Sequence, residues 1–237
     1  MSKDSTVVEI GALSGNISLY SWKTFGVTDV YAVEALPNNY KVLVKNCQDS
    51  PVKTVNVAIG ECDGEVSFFE YGLGSSSSLF KIDSSVKYRR DLDLKEETRV
   101  RAVTLDSFMQ EQDIKKIDYL IMNCEGAEAF VFPQIIHNQD ILAVVKMISI
   151  ELHPMILGQR RVLQLIRFMY PYYDCRVITR TIRGPINVIF TKRDEHVNAF
   201  PPLYFLQYGY ASFMDFIWPG LKFMQKIKRG IMRLNNK

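Results

Sequence analysis

Residues 6–16, TVVEIGALSGN, leave the chain few folds to choose from. Thr6, Val7, Val8 and Ile10 form a short apolar run that closes on a glycine, the pattern of a buried strand. Gly11 and Gly15 then bracket a turn, and the pattern predicts a helix from Asn16 onward. Glycine suits such a turn because it lacks a Cβ, tolerates positive φ and lets another group approach the backbone closely. The helix that follows presents unpaired N–H groups at its positive end, so this strand, turn and helix can receive a ligand. Glu9, at the strand's end, is expected to face that site.

A second strand is predicted over residues 29–33. It ends in Glu34, nineteen residues beyond Gly15. In a βαβ unit, an acid about 20 residues past a glycine turn grips the hydroxyl pair of a ribose. The spacing here is GxxxG rather than GxGxxG. The missing middle glycine is the one that lets a pyrophosphate approach, which argues against a nicotinamide dinucleotide and an oxidoreductase. The two strand tips predict a nucleoside ligand, its amino-acid part at the first tip and its sugar at the second. The bland alternative is an ordinary strand, turn and helix with surface acids.

Along the chain, Tyr40, Leu43, Val44 and Cys47 recur at i, i+3, i+4, i+7 and predict a core-facing helix over residues 38–47. Residues 55–59 read as a third strand and 66–69 as a fourth, entered through an Asp63-Gly64 turn. Residues 72–78, GLGSSSS, are a polar loop: a surface linker or a substrate lid. Residues 84–97 are so charged that a solvated loop or helix is expected. A short extended run at 100–103 leads into a helix capped by Thr104 or Asp106. Residues 117–122, IDYLIM, are a buried strand, and a helix follows in which Pro133 introduces a kink. Another apolar strand, 144–150, runs into Glu151-Leu152-His153-Pro154. Val162, Leu165, Ile166 and Met169 mark the next helix, and strands at 175–179 and 186–191, joined through Arg183-Gly184-Pro185, complete the sheet. Strands alternating with helices imply a doubly wound, mainly parallel α/β sheet whose ligands lie beyond the carboxyl ends of its strands. Glu9, Glu34, Asn123, Glu125, Glu151 and His153 all fall at such ends.

The chain's 237 residues, 47% of them hydrophobic, are enough for one sizeable core, and its net charge of +3 demands no polyanionic partner. From residue 201 on, six basic residues face the single acid Asp215, a net of +5, which leaves about −2 of the total +3 for the rest. Four scattered cysteines without a CxxC pair form no zinc pattern and suit a reducing compartment. No signal peptide and no long apolar run is present, so a cytoplasmic protein is expected.

Together, VVEIGALSGN, YAVEALPNNY, VNVAIGECDGEVSFF, the loop ending at Ser78-Leu79, VTLDSF, IDYLIMNCEGAEAFV and ISIELHP resemble the FkbM family of S-adenosylmethionine-dependent methyltransferases. The match runs over roughly residues 6–191. The resemblance implies a class I, Rossmann-like fold with a mostly parallel seven-stranded sheet over residues 1–199; residues 200–237 read separately as a C-terminal helical tail. It also implies O-methylation of a sugar, glycolipid precursor or other hydroxyl-bearing metabolite. Carried across, Glu9, Gly11, Ala12, Gly15 and Asn16 surround the methionine part of S-adenosyl-L-methionine. Glu34 and Ala35 meet its ribose, and Ala58 and Ile59 its adenine, with Asn123 also at the cofactor. One departure stands out. The family usually reads K-I-D-V-E-G-A-E where this chain has Ile121-Met122-Asn123-Cys124-Glu125-Gly126-Ala127-Glu128. Asn123 can hydrogen-bond but cannot take a proton, which opens a rival reading: a cofactor-binding module without turnover.

Methyl transfer to oxygen needs the acceptor aligned and its proton removed. Alignment can supply about 7–11 kcal/mol of the barrier, and a positioned base a further ~10²–10⁴-fold. An unperturbed histidine titrates near pH ~6.5 and accepts a proton at neutrality. His153 is therefore the expected base, with Glu151 orienting it or holding substrate and Glu125 and Asn123 nearby; a purely structural strand-end role competes. His137 and His196 read as surface residues. No metal site is expected, since spacing alone gives a cluster of Glu125, Glu151 and His153 little claim on a cation. In the tail, aromatic residues over 200–218 precede a basic amphipathic pattern over 219–237. Such a helix can lie on an anionic membrane surface or dock on its own domain or a second copy, as in a homo-oligomer. The catalytic half lacks the basic, aromatic platform of a nucleic-acid binder.

Overall fold

The computed structural model describes residues 1–72, 77–81, 93–180 and 185–194. The serine-loop residues 73–76, most of the charged stretch, Arg183-Gly184, His196 and the whole tail lie outside the described residues. The chain divides into Met1–His196 and Val197–Lys237, and the fold below is that of the first unit.

In chain order the elements are β1 (Thr6–Ile10), α1 (Asn16–Phe25), β2 (Asp29–Val33), α2 (Pro37–Cys47), β3 (Lys53–Val55), β4 (Ala58–Ile59), β5 (Gly64–Tyr71), β6 (Leu94–Val103) and α3 (Leu105–Glu111). They continue with β7 (Ile117–Met122), α4 (Glu128–His137), α5 (Gln139–Val144), β8 (Val145–Leu152), α6 (Pro154–Leu157), α7 (Gln159–Met169), β9 (Tyr173–Arg180) and β10 (Ile186–Lys192).

Seven strands form one sheet in the order β3-β2-β1-β7-β8-β10-β9. The first five run parallel, and β10 runs antiparallel to both of its neighbours. Every residue of β1 is buried, as a central parallel strand covered on both faces requires. Successive residues of β2 go to opposite faces. Val30 and Ala32 join Val7, Leu43 and Cys47 in a core with α1 and α2, while Tyr31 meets Phe108 of α3 edge to face. The chain leaves β1 toward one edge and returns through β7 on β1's other side. The crevice at the carboxyl ends of β1 and β7 is therefore the topological switch point, where ligands bind in such sheets.

A second sheet of three strands, β4-β6-β5, is a departure from the expected single sheet. The strand expected over 55–59 is broken by Asn56. β3 stays beside β2 and β4 joins β6, while the Asn56 side chain donates to the carbonyls of Glu34 and Ala35 at 2.8 and 3.0 Å. Residues 94–97, expected to be a solvated loop or helix, are the start of β6. They are all exposed, so a strand there has no reason to show an apolar alternation. In α2, Leu43 and Cys47 are buried as their spacing predicts, while Val44 is 41% exposed because the helix offers the core a narrower stripe. Thr104, not Asp106, caps α3, its hydroxyl accepting from the Ser107 N–H at 3.1 Å. The four apolar positions expected of α7 are all buried. The unforeseen α5 is capped by Asn138.

Candidate functional site

The tips of β1, β2 and β7 are stitched together by backbone. The N–H groups of Gly11 and Ala12 both donate to Val33 O at 2.9 Å, and Asn123 N donates to Ile10 O at 3.1 Å. The approach is close: a Cβ on Gly11 would lie 2.1 Å from Asn123 O. Glycine is therefore obligatory there, as the turn's sequence implies.

Glu34, just beyond β2, is buried. One carboxylate oxygen accepts from Leu13 N at 2.9 Å and the other from Leu36 N at 3.0 Å. Burial raises its pKa, and these N–H bonds pull the other way. The Asn39 amide also donates to Glu34 Oε1, at 3.5 Å. A carboxylate has about four acceptor positions, so these three donors hold the group in place and still leave room for a ribose hydroxyl.

A cleft opens between these tips. Its lining includes Gly11, Glu34, Ala35, Ala58, Ile59, Asn123 and Glu125 from the expected set. It also includes Leu13, Asn39, Phe68, Ser77 and Leu79, which were not foreseen. The only sign of the last two in the sequence is their place at the end of the serine loop, read as linker or lid. Among the described residues, no lysine, arginine or histidine lines the cleft. Its cavity volume is about 60 Å³, below the ~300–1,000 Å³ of small-molecule pockets, so a nucleoside-sized ligand has to widen it.

Four expected cofactor residues do not line the cleft. Glu9 is buried, and one of its oxygens accepts from the Ser18 N–H at 2.9 Å and the Ser18 hydroxyl at 2.5 Å. It answers the positive end of α1, so that end offers less to an anionic ligand than the sequence implies. Burial, with a smaller push from the charge of Glu34, raises its pKa to about 7 against the pull of the Ser18 bonds. Ala12 belongs to the core with α1 and α2. Gly15 faces α2, where a Cβ would meet Leu43 Cδ1 at 2.6 Å and Cys47 Sγ at 3.0 Å. Asn16 is exposed at the start of α1.

Beside the cleft, at the end of β8, lies His153. Its ring is buried, with Nε2 3.5 Å from both Glu125 and Glu151 and Nδ1 3.5 Å from Glu128. These separations are too long for completed hydrogen bonds, and neither nitrogen makes one. They are short enough for strong attraction between charges in a buried place. Burial alone would lower the ring's pKa, but the surrounding Glu128, Glu151 and Glu125 outweigh it and raise the value to about 10. The raised pKa favours the imidazolium form of His153 at neutral pH, in which the ring has no lone pair free to take a proton. Glu128, fully buried, accepts from Gly126 N at 2.9 Å and from His153 N at 3.1 Å. Of these carboxylates, Glu125 also lines the cleft. Among the described residues no group of three or more His, Cys, Asp or Glu side chains is arranged to hold a metal ion, and no helix is long and apolar enough to cross a membrane.

Residues 9–176 match the family model of the methyltransferase FkbM domain. No curated protein matches the chain. Among solved structures it is similar to methyltransferase FkbM from Methylobacillus flagellatus KT, with a TM-score of 0.51 and 13% identity over 80% of this chain and 44% of that one. It is also similar to M. capricolum TrmK in complex with S-adenosyl-homocysteine, with a TM-score of 0.46 and 12% identity over 88% of this chain and 71% of that one. The O-methyltransferase from Bacillus cereus in complex with SAH has a TM-score of 0.42 and 13% identity over 79% of this chain and 74% of that one. At such identities the first likeness speaks to the fold alone, and the other two carry no argument. The chain spans less than half the length of the M. flagellatus protein.

Proposed function

The chain belongs to the FkbM methyltransferase family, and from that premise we propose that it moves a methyl group from S-adenosyl-L-methionine to a hydroxyl of a sugar, glycolipid precursor or other small metabolite. The observation that carries the reading is the charge of the cleft. Glu34 and Glu125 line it and, among the described residues, no basic side chain does, while the N–H groups of Gly11, Ala12, Leu13 and Gly15 are already bonded within the protein. Such a cleft favours a ligand carrying positive charge over a pyrophosphate.

Glu34 would hold the ribose, and Ala58, Ile59 and Phe68 give the apolar wall an adenine needs. Bound there, the cofactor would supply a methyl group already activated by its sulfonium. The acceptor would enter on the β7–β8 side. There Glu125 is the carboxylate able to take the hydroxyl proton, since it touches both the cleft and the His153 cluster. His153 keeps the local charge balanced, Glu151 holds substrate, and the Asn123 amide orients the acceptor.

A second reading, cofactor binding without turnover, draws on Asn123, which lines the cleft and can hydrogen-bond but cannot take a proton. Calorimetry with S-adenosylmethionine tests the common part: absence of binding at millimolar cofactor would rule out both. Incubation with labelled cofactor and a glycan extract, followed by mass analysis, separates them, since only the first yields a methylated product.

A further inference from the structure

The turn from β7 into α4 hinges on a single peptide unit, the one joining Glu125 to Gly126. Glu125 is in the left-handed region, with φ 44, a conformation a residue with a Cβ holds only when its surroundings impose it. That peptide is tied at both ends. Its carbonyl accepts from the Ser78 hydroxyl at 2.5 Å, and its N–H donates to Glu128 Oε2 at 2.9 Å.

Both partners are rigidly placed. Ser78 is fully buried and exchanges two backbone hydrogen bonds with Phe69 of β5. Its oxygen also accepts from Phe80 N at 2.9 Å. The ring of Phe80 stacks on Phe130, with centroids 5.1 Å apart, and closes over Gly126. Glu128 is anchored from the far side by His153 N. The small sheet and α4 therefore grip one peptide plane between them.

We propose that Ser78 and Glu128 are positioning residues, which lock this peptide and so aim the Glu125 carboxylate at the His153 ring and the cleft. The proposal rests on the methyl-transfer reading for the use made of Glu125, and the clamp itself can be tested without an acceptor. Three carboxylates face the ring: Glu125 from the turn, Glu128 from α4 and Glu151 from β8. The Cys124 thiol, 3.9 Å from Glu128, is kept neutral by burial. Freeing the peptide lets Glu125 relax and takes one of two carboxylates from Nε2.

The test is Ser78→Ala, read by histidine-selective NMR titration alongside calorimetry with S-adenosyl-homocysteine. In the wild type, His153 is expected to lose its proton near pH 10. In S78A the midpoint should fall by at least one pH unit, a tenfold change in proton affinity. Ser78→Thr, which keeps the hydroxyl, should restore it. A folded S78A with a wild-type His153 midpoint would overturn the clamp. Loss of thermal stability alone, with an unmoved midpoint, would overturn it equally. If S78A does not fold, Ser78→Cys, with its weaker donor, is read the same way. Failure of the wild type to bind S-adenosyl-homocysteine would count against the methyl-transfer reading and leave the titration to judge the clamp.

Discussion

Gly15 and Gly26 flank α1 with nearly the same backbone, φ 78 and ψ 19 against φ 70 and ψ 19. They differ in the space a side chain would meet. At Gly26 an added Cβ would find only Lys3 Cβ, at 4.0 Å; at Gly15 it would press on Leu43 Cδ1 at 2.6 Å and Cys47 Sγ at 3.0 Å. Leu43 is fully buried and packs with Val7, Val27, Val30 and Ala32 in one core, so its methyl can yield only by pressing on the core around it. Gly26→Ala should therefore cost only the left-handed penalty, about 1–2 kcal/mol. Gly15→Ala should add the cost of overpacking a dense core, about 1–3 kcal/mol. Urea denaturation of both variants measures the gap. With a slope of about 1–3 kcal/mol/M, the G15A midpoint should lie on the order of 1 M below that of G26A. Equal midpoints would mean that α1 and α2 are not in this close contact. Because Gly15 does not line the cleft, affinity for S-adenosyl-homocysteine should stay within a few-fold in G15A. A stable G15A that loses binding more than tenfold would show that Gly15 serves the ligand after all.

Replacing Glu34 with Ala removes the acceptor for Leu13 N and Leu36 N as well as the ribose contact; calorimetry should show cofactor affinity down by at least about tenfold, at roughly 1.5–3 kcal/mol for bonds to a charged group, and unchanged affinity would remove Glu34 from the site. The folded pKa of His153 is raised to about 10, above an unfolded value near ~6.5. Its contribution to stability is then complete below about pH 6.5 and is lost as pH rises through about 10. Denaturation at several pH values should show the gap between wild type and H153N narrowing over that window, and a constant gap would contradict the charged ring. Glu9 is also raised, from 4.5 to about 7, so ionising it works against the fold. Wild type should lose stability relative to E9Q as pH rises from about 4.5 to about 7, and parallel pH profiles would mean the carboxylate is not held as described. For the basic stretch at 219–237, flotation with anionic vesicles should be lost on its deletion if the tail meets a membrane; equal flotation with and without it would exclude that role.

What the amino-acid order settles alone is whatever depends on near neighbours in the chain. The apolar runs of β1, β7 and β8, the glycine turn after Ile10, the i, i+3, i+4 face of α7, and the acid at the tip of β2 are all local patterns, and each is where its pattern implies; α2 departs from its pattern at Val44. The alternation of strands and helices likewise foretells the parallel sheet and its ligand edge. The use each polar group is put to belongs to the tertiary structure. Glu9 and Glu34 both end strands, yet one answers Ser18 and the other faces the cleft. Gly15 is required by Leu43, twenty-eight positions on, and Glu125 is held by Ser78, which bridges to Phe69 of β5. His153 shows the reason most plainly. Its isolated chemistry is that of a neutral base, but burial lowers the local dielectric and three glutamates brought together by the fold surround it, so proximity in space, not order in the chain, decides its charge.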